Sequence, residues 1–437
     1  MTAPQQYFAG HASKKSRILA LDVLRGTAIL GMLCMNIPEM GQNISDFFSK
    51  PHAGWTTAEQ ALFWFREMVI EGNSRTIFTM LFGATFMLLI AGSMKPTDPV
   101  RSAELYFRRC ALLAVFGVLH ATLLLWPGDL LLHYAVPAAL LFLFRNWDPK
   151  PLLAIVAVGI CFLTVMEARE DFKNARVYAQ AKSAIVKLEK GIKLSEPEEA
   201  KVEKWQEIVA ARGLDKDAWA HEKEVRRSYF RSVGFMATYW WNQFDLDVLL
   251  WGVEAFVFML FGLALFKLGI INGQRSRQFY FAMAIVGFGI AVPLNAHEAW
   301  LKWSTLDAPF IWQDDITYQI SRTAMALGII GFLIAMLKSE AGPALLRPVA
   351  CAGRMALTNY LGQSAICAIL FTGFGLFGKL NGFQLIGLAF SIWVCQVLFS
   401  MWWLARFTMG PLEWLWRVLI HWQDYPLRLK QPTPVTT

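Results

Sequence analysis

The sequence predicts an all-α, polytopic membrane helix bundle with about ten transmembrane helices. About ten apolar stretches of roughly 18–25 residues divide the chain, which is the length a helix needs to cross a bilayer. Only 17% of the residues are charged, whereas soluble domains carry about a quarter. The predicted spans are 18–37, 73–93, 106–126, 129–146, 151–168, 245–268, 279–296, 316–337, 357–377 and 383–404.

Basic residues near the ends of these stretches predict the orientation. Loops rich in Lys and Arg face the cytoplasm. Placing the N-terminus in the cytoplasm satisfies this rule at nearly every predicted loop. Only a few basic residues, including Lys50, Lys302 and Lys379, then lie in the outer loops. We therefore expect both termini in the cytoplasm. The residues placed inside are Lys95, Arg101, Arg108, Arg109, Arg145, Lys150, Lys267, Arg275, Arg277, Lys338, Arg347, Arg354 and Arg406.

The first apolar stretch follows Lys14, Lys15 and Arg17. This order resembles the start of a signal peptide, but no cleavage site of the A-x-A type follows it. The stretch is long enough to span a bilayer. We therefore predict that residues 18–37 are retained as the first transmembrane helix.

Residues 169–243 form a long polar segment, rich in Lys, Arg, Glu and Ala with charges of both signs. It predicts a charged, helical insert outside the membrane, since loops this long escape the charge rule. The insert separates an N-terminal transmembrane bundle (1–168) from a C-terminal transmembrane domain (244–437) that ends in an amphipathic tail. Two interpretations remain open: a cap over a substrate cleft, or an insert without a chemical role.

Composition argues against two kinds of site. The six cysteines show neither CxxC nor Cys/His spacing, so we predict no disulfide framework and no metal site. The net charge is +8, but the basic residues lie singly or in pairs at the ends of apolar stretches. Nucleic acid is therefore not an expected partner, because its binding needs a basic patch or stripe.

Three polar residues mark the first predicted helix. Asp22 and Arg25 are three residues apart and are expected to pair near the cytoplasmic surface. Asn36 lies about 21 Å further along the helix, near the outer surface. The Asp22–Arg25 pair has two interpretations: a salt bridge that locks the helix to a neighbour, or an arginine poised for an anionic cofactor.

The third and fourth predicted spans carry the richest set of ionisable residues. Arg109 and His120 are three helical turns apart and share a face that ends deep in the membrane. The turn Trp126-Pro127-Gly128 then returns Asp129 close to this face. Asp129 is expected either to cap the fourth helix or to orient an imidazole for general-base chemistry. His133, four residues after Asp129, is its nearest helical partner.

Isolated polar residues also occur within later spans, namely Glu254, Arg322, Asn359 and Gln363. Polar side chains in membranes commonly form hydrogen bonds between helices, and this is the simpler interpretation for each of them. The alternative is that they mark a path for protons or solutes.

Several strings resemble the YeiB-like bacterial membrane proteins, over nearly the whole chain except residues 169–243. RILALDVLRGTAILGMLCMNI, TIFTMLFGATF and GVLHATLLLWPGDLLLHYA look like the family's N-terminal motifs. GRMALTNYLGQS (353–364) and GPLEWLWR (410–417) resemble the signatures of its C-terminal domain of unknown function. The resemblance implies a multi-pass protein of the bacterial cytoplasmic (inner) membrane.

The string LDVLRG is also similar to the start of the heparan-α-glucosaminide N-acetyltransferase-like proteins, which are related to the wider transmembrane acyltransferases. This resemblance implies about ten helices around a tunnel that is open to acyl-CoA inside and to an acceptor outside. Those relatives often carry a histidine near the outer part of the first helix, where this chain has Asn36. The departure leaves His120 as the best substitute for the catalytic histidine.

These observations favour an acyltransferase that uses acyl-CoA, expected to be acetyl-CoA, as co-substrate. Arg25, Arg108, Arg109 and Arg354 would hold its phosphates, with Asp22 orienting Arg25. The expected catalytic residues are His120 as base or acyl carrier, Asp129 as its partner and Asn36 as a donor to the oxyanion.

We expect membrane lipids and a small-molecule or glycan acceptor as partners, and we allow for a homodimer. The alternatives are a secondary transporter, in which Asp22, His120, Glu254 and Arg322 form a path, and a non-catalytic membrane scaffold. No inverted repeat is visible, which weighs against the transporter.

Overall fold

The computed structural model describes residues 14–42, 56–93, 99–211, 216–242, 246–304 and 315–428. The described chain folds into α-helices, joined or extended by π-helical turns at Arg66–Ile70 and Ile369–Gly373 and a 3-10 turn at Phe142–Phe144. The helices are α1 (Lys14–Gly41), α2 (Thr57–Phe65), α3 (Asn73–Ser93), α4 (Pro99–Leu123), α5 (Leu131–Leu141), α6 (Pro149–Glu189), α7 (Glu196–Ala211), α8 (Lys216–Val225), α9 (Tyr229–Asn242), α10 (Leu246–Lys267), α11 (Arg277–Ser304), α12 (Asp315–Leu337), α13 (Gly342–Leu345), α14 (Arg347–Arg354), α15 (Ala356–Ala368), α16 (Gly382–Leu404) and α17 (Pro411–His421).

Local sequence explains several helix starts. Thr56 and Glu59 form a capping box before α2, in which each side chain accepts a hydrogen bond from the other residue's backbone N–H. Asn381 and Gln384 form the same arrangement before α16. Helices α6 and α17 begin at prolines, whose fixed φ suits the first helical position.

Six helices of the described chain are long and apolar enough to cross a membrane, and α14 with the helix after it counts as a seventh, bent by 81°. The chain is therefore all-helical with six to seven candidate spans, as expected of a multi-pass membrane protein. The six are Leu19–Gly41, Ala103–Leu123, Pro149–Glu189, Arg277–Ser304, Ile316–Leu337 and Gly382–Leu404.

Two predicted spans differ from the observed helices. Residues 129–146 contain only a short apolar helix, Leu131–Phe144. Residues 357–377 do not form one regular helix, because α15 ends at Ala368 and continues as a π-helical turn to Gly373. Both irregularities lie next to the polar residues of the candidate site.

The polar insert continues a membrane helix without a break. Helix α6 is a single helix of 41 residues, so the predicted border between residues 168 and 169 lies inside it. No Gly or Pro occurs between 160 and 189, so nothing in the sequence interrupts the helix there. The insert returns to the bundle through α9, where the Tyr229 hydroxyl donates to the Leu123 carbonyl at 2.9 Å.

Glycines allow pairs of helices to cross with their backbones in contact. A Cβ atom added at Gly83 in α3 would lie 1.9 Å from the Met259 carbonyl oxygen, and one at Gly262 in α10 would lie 1.8 Å from the Met80 carbonyl oxygen. Small residues permit such close approach within membranes. The α3–α10 crossing lies within the largest buried apolar cluster of the described chain.

Candidate active site

A buried serine, histidine and aspartate form a hydrogen-bonded chain. His120 Nδ1 lies 2.6 Å from Asp129 Oδ1, and His120 Nε2 lies 2.7 Å from Ser364 Oγ. All three side chains are almost fully buried. Because a carboxylate only accepts, the arrangement favours a proton on Nδ1 and leaves Nε2 to accept from the serine hydroxyl. This is the geometry in which histidine activates a serine as a nucleophile.

The turn between α4 and α5 brings Asp129 to His120. The second carboxylate oxygen, Asp129 Oδ2, accepts a hydrogen bond from the Leu132 backbone N–H at 2.8 Å. Asp129 therefore does both things the sequence left open: it caps the start of α5 and it holds the imidazole. Leu125, in the same turn, has a φ of 56°, a left-handed conformation that is rare for leucine and often found at functional sites.

Helix α15 brings Ser364 and Tyr360 to the same imidazole. These two residues are four apart and so share a helix face. The Tyr360 ring packs edge-on against His120, with 4.8 Å between centroids. The Tyr360 hydroxyl accepts from the Leu130 backbone N–H at 3.3 Å. Tyr360 thus shields the imidazole and supports the turn that carries Asp129.

A carboxylate from the C-terminal helix holds the start of α15. Glu413 Oε1 accepts from the backbone N–H groups of Leu357 and Thr358 at 2.7 and 3.0 Å. Its other oxygen accepts from the Thr358 hydroxyl at 2.6 Å. Burial raises the pKa of the Glu413 carboxyl, whereas these hydrogen bonds lower it. Glu413 lies in α17 and fixes the helix that positions Ser364.

A small cavity lies beside Ser364. Its polar lining consists of Ser364, Thr372 and Arg226, and apolar side chains such as Leu125 and Phe371 form the rest of its wall. Arg226 comes from the insert, where Glu222 pairs with it at 2.7 Å. The insert therefore contributes directly to the wall of this cavity.

Gly117 allows the two helices of the hairpin to come together at Asp129. A Cβ atom at Gly117 would lie 2.5 Å from Asp129 Oδ2 and 2.4 Å from the Leu132 backbone nitrogen. We expect Gly117→Ala to displace the Asp129 carboxylate and lower any activity that depends on His120 by more than about tenfold, since misplacing a group by about 1 Å can cost 10²-fold.

The measurement is the activity of purified protein alongside its thermal stability. Gly289→Ala is the control, because a Cβ at Gly289 meets nothing within 4 Å. Equal activity of Gly117→Ala and wild type would show that Asp129 does not need its observed position.

Two other residues predicted for the outer half lie close to this site without joining the chain of hydrogen bonds. Asn36 is one helical turn from Met40, which lines the cavity, and it makes no hydrogen bond within the described residues. His133 Nδ1 lies 2.5 Å from the backbone carbonyl oxygen of Asp129 rather than from its carboxylate. Asn36 stays a prediction, and His133 supports the turn.

The residues predicted to bind the cofactor lie towards the other end of α1 and α4. Arg25 and Asp22 form the expected pair at 3.2 Å, and Arg25 also donates to the Thr85 hydroxyl at 2.9 Å. Arg354 donates to the Thr408 carbonyl at 3.2 Å and lies near enough to Asp22 to attract it. The salt bridge lies within α1, and the hydrogen bond from Arg25 to Thr85 links α1 to α3.

Arg108 and Arg109 face the C-terminal helix. Arg108 pairs with Glu104 at 2.5 Å and donates to the Ile420 carbonyl at 3.1 Å. Arg109 lies near enough to Arg417 for the two charges to repel each other, and its buried Nε has no hydrogen-bond partner within the described residues. Sequence reasoning did not include Arg417, which lies in the GPLEWLWR string.

Glu254 and Arg322 come together in a separate buried ion cluster. Arg322 contacts both Glu254 carboxylate oxygens, at 3.1 and 3.0 Å. Arg75, which the sequence analysis had not singled out, lies 3.3 Å from the same carboxylate. The cluster joins α3, α10 and α12. Paired in this way, the charges are compatible with burial in a membrane.

Asn359 and Gln363 hold helices together, as in the simpler interpretation. Asn359 donates to the Ala352 carbonyl and to the Ser400 hydroxyl, at 2.9 and 3.1 Å. Gln363 donates to the Ile29 carbonyl and to Gln396 Oε1, at 3.3 and 2.9 Å. Sequence reasoning chose this face of α15 and missed Ser364. The available signal was the Tyr360–Ser364 spacing, which repeats the Asn359–Gln363 spacing on the adjacent face.

Within the described chain, no three His, Cys, Asp or Glu side chains come close enough together to hold a metal ion.

Comparisons with known proteins identify the family. The family described as "Protein of unknown function (DUF418)" matches residues 265–423. The uncharacterized protein YeiB of Escherichia coli is 30% identical over 414 residues, which cover 92% of this chain and 96% of that protein. The chain belongs to the YeiB-like family. The uncharacterized protein YxaH of Bacillus subtilis is 29% identical over 440 residues, which cover 95% of this chain and 97% of that protein. No solved structure matches.

The strings that resemble the YeiB-like family meet in space. LDVLRG ends at Gly26, where an added Cβ would lie 2.1 Å from the Val349 carbonyl oxygen. GRMALTNYLGQS begins at Gly353, where an added Cβ would lie 1.8 Å from the Asp22 carbonyl oxygen. GPLEWLWR supplies Glu413 to the start of α15. The family's separate strings therefore build one hydrogen-bonded unit around the site.

Proposed function

We propose that this YeiB-like protein is an integral membrane acyltransferase. It moves an acyl group, in the first instance acetyl, from cytoplasmic acyl-CoA to an extracytoplasmic or membrane-embedded acceptor. The observation that carries the proposal is the buried chain from Asp129 through His120 to Ser364, with distances of 2.6 and 2.7 Å. Such chains recur on unrelated folds and are recognised by geometry and roles.

Each step of the proposed reaction uses one or more of these three residues. Ser364 Oγ bonds to the thioester carbonyl carbon while His120 Nε2 takes the serine proton. The carbon–sulfur bond then breaks, and His120 returns the proton to the departing thiolate. The acceptor's hydroxyl or amine repeats the sequence on the acyl-serine: its proton passes to His120, and Ser364 leaves with that proton. Asp129 accepts the Nδ1–H hydrogen bond and stabilises the imidazolium.

Burial favours transfer over hydrolysis. His120, Asp129 and Ser364 are each at most 1% exposed, so water has little access to an acyl-serine. Excluding water suppresses the side reaction of a reactive intermediate.

The proposal includes a ten-span topology in the bacterial inner membrane with both termini in the cytoplasm. Three further helices, α3, α10 and the short helix Leu131–Phe144, bring the seven candidate spans to ten. That short helix begins with 11 regular residues and ends in a 3-10 turn of three residues. It is about 9 Å shorter than the hydrocarbon core. Asp129 would then lie below the outer surface, in the outer half of the membrane.

The donor side is proposed for the inner ends of α1 and α4. Arg109 and Arg417 lie near enough for their positive charges to repel each other, and a phosphate would relieve this repulsion because guanidinium groups bind phosphate with two hydrogen bonds. Arg109 lies about 17 Å from His120 along the helix. An extended acyl-CoA would have to cover this distance to present its thioester to Ser364.

The test is a label-transfer assay. Purified protein in liposomes is incubated with acetyl-CoA carrying a labelled acetyl group, and the site of any label is located by mass spectrometry of peptides. We expect label on Ser364, which chases off when an extract containing the acceptor is added. No label on protein, lipid or added acceptor would refute the acyltransferase.

A carrier is the second candidate, and the buried Arg75–Glu254–Arg322 cluster is the observation in its favour, because intramembrane charges often mark ion paths. The same liposomes distinguish the two. Solute or proton flux without label transfer would favour the carrier, and label transfer without flux would favour the enzyme.

A further inference from the structure

We propose that helix α9 of the insert lies on the membrane surface, with its Tyr229–Phe230 pair embedded in lipid. The lipid belongs to the leaflet on the insert's side of the bilayer. This inference does not depend on the proposed acyl transfer, because it concerns only the surface that holds the insert against the transmembrane helices.

Helix α9 differs in composition from the two helices that precede it in the insert. Only one of its 14 residues is charged, and six are aromatic. Helix α7 carries seven charged residues among 16, and α8 carries five among 10. Tyr and Trp concentrate where a bilayer meets water, because one end of the side chain is apolar and the other is polar. The composition of α9 is typical of a helix at a membrane surface, whereas that of α7 and α8 is typical of helices in water.

One face of α9 is covered by protein and the opposite face is not. Ser232 and Met236, four residues apart, are at most 2% exposed. Phe230 and Gly234 lie on the opposite face, since two residues correspond to about half a helical turn. Phe230 is 85% exposed, the highest value for a large apolar side chain among the described residues. A Cβ atom added at Gly234 would meet nothing within 4 Å, so this face is open to a partner outside the chain.

The exposed aromatic pair begins where the exposed apolar face of α4 ends. Leu119 and Leu123 are one helical turn apart and are 46% and 43% exposed. Both belong to Ala103–Leu123, one of the candidate spans, so they face lipid. The Tyr229 hydroxyl donates to the Leu123 carbonyl at 2.9 Å. The Tyr229 and Phe230 rings meet edge-on, with 5.7 Å between centroids, so the lipid that covers the end of α4 also meets this pair.

The same contact involves one wall of the cavity beside Ser364. Leu124 directly follows the residue that accepts the Tyr229 hydrogen bond, and Arg226 lies three residues before Tyr229. Leu124 and Arg226 both line the cavity. A helix α9 that is seated in lipid therefore holds the insert's part of this wall against the end of α4.

Spin labels at single cysteines measure the depth of this surface. The full-length protein, with its six native cysteines replaced by alanine, is labelled at Phe230→Cys and reconstituted in vesicles of phosphatidylethanolamine and phosphatidylglycerol. The ratio of oxygen to nickel-chelate accessibility reports depth, because oxygen concentrates in lipid and the chelate stays in water. We expect the label at Phe230 to lie about 5–10 Å below the phosphates, with the label of Leu119→Cys deeper. Lys204→Cys, at an exposed position of α7, is the control that should lie in water.

A label at Phe230 that the nickel chelate reaches as readily as the label at Lys204 would overturn this inference. A label that neither oxygen nor the chelate reaches would also overturn it, by showing that protein covers this face. If the cysteine-free protein does not fold, a single benzophenone side chain at Phe230, Leu119 or Lys204 in the otherwise unaltered chain replaces the spin label. Illumination in the same vesicles should cross-link lipid at Phe230 and Leu119 but not at Lys204. Lipid adducts at Leu119 without any at Phe230 would overturn the inference.

Discussion

In Ser364→Ala, acetyl transfer should fall by at least about a thousandfold, because removing any member of such a chain removes the activated nucleophile. His120→Ala should have a comparable effect. The double variant should be hardly worse than either single variant, since residues that act as one unit show non-additive losses. The measurement is the initial rate of label transfer from acetyl-CoA, with binding of acetyl-CoA measured separately.

The controls separate chemistry from structure. His120→Gln can still form hydrogen bonds to Asp129 and Ser364 but cannot carry a proton, so it should retain stability and lose transfer. Ser391→Ala removes a hydroxyl in α16 that only bonds the Gly387 carbonyl at 2.9 Å, and it should retain transfer. Near-normal transfer in His120→Gln would reduce the chain to a structural hydrogen-bond network and would move the search to His133.

Gly353→Val should prevent α14 from packing on α1. The added Cβ would lie 1.8 Å from the Asp22 carbonyl oxygen and 2.6 Å from the Gly26 backbone nitrogen. A backbone atom cannot move away by changing rotamer as a side chain can, so the two helices must separate. We expect a loss of at least about 2 kcal/mol of stability, seen as a lower melting temperature in detergent and a smaller monodisperse fraction.

Gly289→Val provides the matched control, because an added Cβ at Gly289 meets nothing within 4 Å. It introduces the same β-branched side chain into helix α11 at a position where no neighbouring atom opposes it. A Gly353→Val protein as stable as Gly289→Val would contradict the close α1–α14 crossing.

Local pattern was sufficient for much of the architecture. Apolar stretches and their length predicted an all-helical membrane protein, since an isolated chain in hydrocarbon must satisfy its backbone hydrogen bonds within helices. The i,i+3 spacing of Asp22 and Arg25 predicted their pairing. The turn at Trp126–Gly128 predicted that Asp129 returns towards the helix face of His120, but only the tertiary structure shows their contact. Such features depend on neighbours in sequence.

Ser364 is different, because its partner is distant in sequence. The His120–Ser364 hydrogen bond joins residues 244 apart. The pattern of residues in one helix does not indicate which residue of the other helix it will contact. The same is true of Glu413, which caps α15 from 55 and 56 residues away, and of Arg226, which reaches the cavity from the insert. Polar residues on two faces of α15 were equally visible, and only packing decided which face met the histidine.

The sequence by itself therefore determined the class of protein, the helices that carry the polar residues and the local pairs along them, because hydrophobic length and helical spacing act over a few turns. The tertiary structure alone decided that Ser364, His120 and Asp129 form one chain, that Glu254 and Arg322 pair elsewhere, and that Arg226 of the insert lines the cavity beside Ser364. Each of these depends on how closely helices approach one another, and such distances arise from contacts between segments far apart in the chain, as where Gly353 meets the backbone of Asp22.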